Sequence, residues 1–141
     1  MIVGGAIYVD TGAWVALADK DDSHHKKAAS IYPSLLEIQG TLITSNLVFA
    51  EAYVIILHEL GHKAATSFLE SVKASPRILK IYSNDELEND AEEILKRYAD
   101  QDFSYTDAVS FAIIKKQKIK KAFCFDKHFR TAGFESIPFP Y

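Results

Sequence analysis

Short apolar runs alternate with helix-patterned segments along this chain, and that alternation limits the folds open to it. AIYVD (6–10) is apolar, β-branched and aromatic, the composition of a buried strand. AWVALAD (13–19) reads as a short helix. DDSHHKKAASIYPSLLEIQG predicts a helix with Ser23 as N-cap and Gly40 as stop, kinked or divided at Pro33. TLITS (41–45) is a second strand, and NLVFAEAYVIILHEL (46–60) a long apolar helix that Gly61 terminates. HKAATSFLESVKAS (62–75) is another helix, broken by Pro76, and RILKIY (77–82) a third strand. NDELENDAEEILKRYAD (84–100) is amphipathic, with apolar positions at Leu87, Ala91, Ile94, Leu95 and Tyr98. SYTDAVSFAIIKKQK (104–118) is a further helix, KAFCFD (121–126) a fourth strand, and ESIPF (135–139) a short edge strand limited by Pro138. The pattern predicts an α/β fold whose central, mainly parallel sheet is covered on both faces.

The 141 residues, 48% of them apolar, suit one compact domain spanning 1–141 with a single core. No apolar stretch reaches the roughly 18 residues that span a bilayer. MIVGGAIYVD has no basic segment before its apolar run and does not read as a signal peptide. The lone cysteine, Cys124, excludes an internal disulfide framework, so a reduced cytoplasmic setting is expected. Net charge is −3, which gives the whole chain no general attraction to nucleic acid. Charge is nevertheless uneven: Lys115, Lys116, Lys118, Lys120, Lys121, Lys127 and Arg130 crowd one stretch. Such a run is either a solvated face or a local patch for phosphates.

An open parallel sheet binds its ligand beyond the carboxyl ends of its strands. Two strands end there in an aspartate, Asp10 in YVDTGAW and Asp126 in FCFDKHF. Either could simply cap the next helix. Glu51 is the one charge among Leu47 to Leu57 and falls in the second turn of its helix. A carboxylate buried in such a helix needs a partner or a raised pKa. Asp107, in SYTDAV, has capping-box spacing to Ser104. Each residue has its own structural explanation. Those explanations leave unexplained why all four acids fall at the same end of the sheet layer.

Carboxylates brought together repel. Two unit charges about 4 Å apart cost on the order of 4 kcal/mol at an effective dielectric of about 20. A cation removes that cost, and hard oxygen donors suit Mg²⁺ or Mn²⁺ better than zinc. Such ions support phosphodiester hydrolysis.

These segments resemble the PIN-domain family, and within it the VapC-type ribonuclease toxins. IYVDTGAWVAL, SNLVFAEAY, SYTDAVSFAIIKKQ and AFCFDKHF carry the resemblance in order, over residues 6–141. It implies a three-layer α/β/α sandwich and an endoribonuclease dependent on Mg²⁺ or Mn²⁺. The family's acidic residues carry over to Asp10, Glu51, Asp107 and Asp126 as metal-holding, catalytic residues. Thr11 and Thr106 match supporting hydroxyl positions, while Cys124 stands where the family often has Ser or Thr. Lys127, His128 and Arg130 are open to RNA phosphates or to solvent. The resemblance also implies an RNA substrate, a small antitoxin partner and a homodimer, for which helices 46–60 and 62–73 offer apolar surface.

A competing motif is HELGH (58–62), which matches the zinc-protease pattern through His58, Glu59 and His62. His58 lies seven residues beyond Glu51, about 10 Å further along the helix axis and away from the acids. Gly61 is expected to end the helix where the motif needs continuity, and Phe68 occupies the extended pattern's third-ligand position. Glu70 or a later glutamate could still complete a zinc site. A third reading is a binding module that keeps the fold without turnover, against which the four intact acids argue.

Overall fold

The computed structural model describes residues 5–38 and 40–138, with the Ile38 side chain outside that description. The expected stop at Gly40 is a glycine at φ 80°; the neighbouring Gln39 and the end of the 135–139 strand lie outside the described residues. Five strands form one sheet: β1 (Ile7–Val9), β2 (Leu42–Ser45), β3 (Ile78–Ile81), β4 (Lys121–Phe123) and β5 (Glu135–Ile137). Every pairing is parallel, and the strand order is β3-β2-β1-β4-β5. Seven helices connect them: α1 (Thr11–Ala18), α2 (His25–Ile38), α3 (Asn46–Leu60), α4 (His62–Ala74), α5 (Asp85–Arg97), α6 (Tyr105–Lys116) and α7 (His128–Thr131).

The order places the layers. Crossovers between parallel strands are right-handed. The chain moves from β1 through β2 to β3 in one direction, which puts α1 to α4 on one face. It then crosses to β4 and β5 in the other direction, which puts α5, α6 and α7 on the opposite face. Packing agrees, because α1 touches α2 and α3, α3 touches α4, and α6 touches α5 and α7. The result is a three-layer α/β/α sandwich. Its direction reverses between β1 and β4, and such a switch point opens a crevice at the carboxyl ends of the strands.

The core fits these layers. Tyr8, Val9, Leu42, Ile43, Ala122 and Phe123 on the three central strands are fully buried. From one face α3 inserts Val48, Ala52 and Ile56; from the other α6 inserts Ala108 through Ile114. Burying a side chain of this size contributes about 1.5–3 kcal/mol, so these central positions tolerate truncation poorly.

Four expectations are corrected. Pro33 neither ends nor divides α2, which runs continuously through it. Ser23 is not its cap: the helix begins at His25, and the His24 amide donates to Asp22 Oδ1 in the turn before it. Strand β4 stops at Phe123, so Asp126 lies in a bend three residues further on, followed by the unforeseen single-turn helix α7. Glu51 is exposed rather than buried. Helix α3 is apolar nearly all round, yet it turns only one stripe inward and leaves Val54, Ile55 and Leu60 at the surface.

Candidate active site

Asp10 is the residue after β1 and takes the N-cap position of α1. The capping itself is done by its backbone, whose carbonyl accepts from the amides of Ala13 and Trp14 at 3.1 and 3.2 Å. Its side chain makes no cap hydrogen bond and is 4% exposed. A helix cap therefore does not account for this carboxylate. Burial holds its pKa well above the usual range, followed by the charge of Asp126. The Thr11 amide opposes the rise, while the charges of Asp107 and Glu51 add to it. Thus all three other predicted acids act on Asp10, although each comes from a different part of the chain.

Asp107 is buried in the first turn of α6, and the capping box is real. Its amide donates to Ser104 Oγ at 2.9 Å, and the Ser104 amide donates back to Asp107 Oδ2 at 3.1 Å. The same Oδ2 lies 2.9 Å from His128 Nδ1. Both bonds fall on Oδ2, and neither engages Oδ1. Structural and chemical roles therefore coexist in one side chain. Thr106 sits half-buried beside it.

His128 binds the site together. Its amide donates to Asp126 Oδ1 at 2.9 Å, and its Nε2 lies 3.2 Å from Asp102 Oδ1. Both ring nitrogens thus face carboxylates, and the ring edge packs on Phe103. Asp107, Asp126 and His128 each offer a ligand atom, all within 4.8 Å of one another. Asp10 and Glu51 are not in that group; Asp10 follows β1, and Glu51, exposed on α3, reaches the site only through its charge on Asp10. Asp126 is exposed, but its partial burial raises its pKa, and Asp107 adds to the rise. The His128 amide, the His128 ring and the Arg130 guanidinium work in the opposite direction.

The floor of the site is polar and closed. Tyr8 OH and Ser110 Oγ share a 2.7 Å hydrogen bond. Trp14 Nε1 donates to Thr44 Oγ1 at 3.2 Å, and that hydroxyl donates to the Val9 carbonyl at 3.1 Å. Burial pushes the Tyr8 hydroxyl far above its ordinary pKa and does the same to the Cys124 thiol. The thiol donates to the Ala122 carbonyl at 3.6 Å, so Cys124 is a neutral wall rather than a nucleophile. Thr11 Oγ1, beside Asp10, is buried without a hydrogen-bond partner among the described residues. An orphaned hydroxyl beside raised carboxylates is what a site built for a hydrated cation or an anionic oxygen would contain.

Other predicted features are dispersed. Lys115 to Lys121 lie on the amino-end side of β4, and Lys116 pairs with Glu86 at 2.5 Å. Lys127 and Arg130, both exposed, lie on its carboxyl-end side. The basic run is therefore split rather than gathered at the acids. HELGH is also divided, because α3 ends at Leu60 and Gly61, at φ 94°, starts α4 in a new direction. His58, Glu59 and His62 are exposed, and the metal-ligand grouping among the described residues contains none of them.

Two contributors escaped the sequence reading. Asp102 is in a loop with nothing local to mark it. Ser110 was detectable, since it lies three residues after Asp107 and shares its helix face.

Known proteins share this fold. A model of the PIN domain matches residues 7–135. The chain is 32% identical over 131 residues to the 23S rRNA-specific endonuclease VapC20 of Mycobacterium tuberculosis strain H37Rv, covering 93% of this chain and 97% of that protein. It is 31% identical over 117 residues to a VapC ribonuclease of Archaeoglobus fulgidus, covering 82% of this chain and 74% of that one. The crystal structure of M. tuberculosis VapC20, described as a sarcin-ricin loop cleaving toxin, superposes with a TM-score of 0.84 over 91% of this chain and 95% of that one. FitAcB from Neisseria gonorrhoeae shares the fold at a TM-score of 0.63 and 18% identity, covering 95% of this chain and 96% of that one. The family match runs from the first strand to the last and takes in all four acids, and the chain belongs to the PIN-domain family.

Proposed function

We propose that this protein is a Mg²⁺- or Mn²⁺-dependent endoribonuclease of the VapC type and the toxin of a toxin–antitoxin pair. The observation that carries this reading is the Asp10 carboxylate, buried without a cap hydrogen bond and raised first by that burial and then by the charges of Asp126, Asp107 and Glu51. A buried carboxylate raised in this way, with other acids near it, marks a candidate site for a ligand that would use the charge. Asp10, Asp107 and Asp126 would hold the ion, with Glu51 contributing from the rim. Their hard oxygen donors suit Mg²⁺ and Mn²⁺. Bound there, the ion offsets the crowding of the acids and supplies electrophilic stabilisation to a phosphoryl oxygen and activation to water.

The chain's own residues supply orientation. Ser104 and His128 fix Asp107 through Oδ2, which sets the direction of Oδ1 before substrate arrives. The His128 amide does the same for Asp126. Thr11 Oγ1 is free to bond a water or phosphate oxygen. Lys127 and Arg130 flank the acids and suit the neighbouring phosphates of a bound strand. No side chain acts as nucleophile.

A stem-loop of ribosomal RNA is the first substrate to test, since VapC20 is named for 23S rRNA. The exposed Val54, Ile55 and Leu60 of α3 suit a homodimer contact, and an antitoxin tail would close the groove above the acids. Residues 1–141 act as a single domain in the cytoplasm, where RNA and antitoxin are found. Among the described residues no helix is long and apolar enough to cross a membrane. RNA cleavage by Asp10→Asn tests the reading. Loss of on the order of a hundredfold is expected; undiminished Mg²⁺-dependent cleavage removes Asp10 from the site.

A further inference from the structure

The His24 ring lies flat on the Phe125 ring, with centroids 4.4 Å apart and planes 10° apart. Phe125 is the residue immediately before Asp126, so this stacked pair stands at the rim of the acidic site. Phe125 is half-buried and its inner side packs on Phe123 at 5.9 Å. His24 is exposed and caps the pair on the solvent side. The segment that presents it is fixed at several points. The Asp21 amide donates to Asp19 Oδ1 at 2.9 Å, and the His24 amide to Asp22 Oδ1 at 2.8 Å. His25 Nδ1 meets the Ala16 carbonyl at 2.7 Å, which ties the start of α2 to the end of α1. The imidazole is therefore an aromatic plane held in position beside the reacting centre, with one face on Phe125 and the other toward solvent.

Resting on the nuclease reading above, we propose that the outer face of His24 is a nucleobase subsite, which stacks an unpaired RNA base next to the phosphate held by the acids. Sequence-tolerant recognition of single-stranded RNA uses such planes, histidine included, because every base offers a π-face. A base added to this pair continues a stack already two rings deep. The platform is ordered beforehand, so binding costs little extra entropy at this residue. Its place one residue from Asp126 makes it a determinant of which nucleotide beside the scissile bond must be unpaired.

The test uses the full chain with Asp10→Asn as a binding-only background and short fluorescein-labelled single-stranded RNAs, each also made with one abasic nucleotide. His24→Ala weakens binding about five- to 150-fold, the range for one base–aromatic stack. His24→Phe and His24→Trp keep the affinity, and the new tryptophan is quenched by RNA. One abasic position removes the difference between His24→Ala and its parent. In the cleaving protein His24→Ala raises KM and leaves kcat within a few fold. Equal affinity of His24→Ala and the parent overturns the proposal, as does a loss that Phe and Trp share or that survives every abasic substitution. Mg²⁺-dependent cleavage by the unaltered chain is measured alongside. If it cleaves while His24→Ala matches it, the subsite alone falls; if it neither cleaves nor binds RNA, the nuclease reading falls with it.

Discussion

Two parts of this molecule carry acidic and histidine side chains in suggestive patterns, and they behave in opposite ways. At the carboxyl end of the sheet, Glu51, Asp107 and Asp126 come from three separated segments, and the charge of each acts on the buried Asp10. At the α3–α4 corner, His58, Glu59 and His62 fall within five consecutive residues, yet one glycine leaves the first two on α3 and puts His62 on α4. The difference teaches that chain spacing is a guide to proximity only within one unbroken element. Between elements, strand order decides. Here the reversal between β1 and β4 brings distant acids to one crevice.

The contrast can be broken most forcefully at Asp10. Asp10→Asn should lower RNA cleavage on the order of a hundredfold, whereas Glu51→Gln, from an exposed rim position, should cost clearly less. Equal losses would erase the distinction between a buried centre and its rim.

Stability should move the other way. The folded-state pKa of Asp10 and of Asp126 is raised, so the folded protein binds more protons than the unfolded chain between the two pKa values. Metal-free stability is then fully present below the ordinary aspartate range and lost as pH rises through the folded values. Asp10→Asn should flatten that decline and raise the metal-free Tm at neutral pH by a few degrees, the size expected for about 1 kcal/mol. Calorimetry across acid to neutral pH measures both. A Tm that falls on substitution would mean the carboxylate is stabilised by its surroundings.

The α3–α4 corner should respond through its backbone alone. Gly61 has open space where a Cβ would go but stands at φ 94°, so Gly61→Ala should cost about 1–2 kcal/mol with cleavage unchanged. His58→Ala, at an exposed position, should change stability by less than about 0.5 kcal/mol and leave both cleavage and metal content alone. Stoichiometric zinc that disappears with His58→Ala would reverse the ranking of the two regions.

Much of the fold was legible because each element carries its own period or punctuation. Helix α3 begins and ends at the expected residues, since Ser45 accepts from the Val48 amide and Gly61 supplies a stop at positive φ. Asp10 was legible as a charge set after an apolar run, and Asp107 through its capping-box spacing to Ser104. Exposure was not: the apolar letters around Glu51 suggested burial, but they do not say which helix face meets the sheet, and Val54 and Ile55 face outward. Helix α7 is a single turn, too short for any period to register. The link from Asp102 through His128 to Asp107 joins a loop and two helices, and no local pattern encodes it.

Central to this account is that the gathered acids exist to hold a hard divalent ion. Thermal unfolding of the purified chain with and without millimolar Mn²⁺ tests it most directly, because a ligand that binds only the folded state raises Tm. The account predicts a clear rise for the unaltered protein and a much smaller one for Asp10→Asn. An unaltered protein whose Tm ignores Mn²⁺ would contradict it.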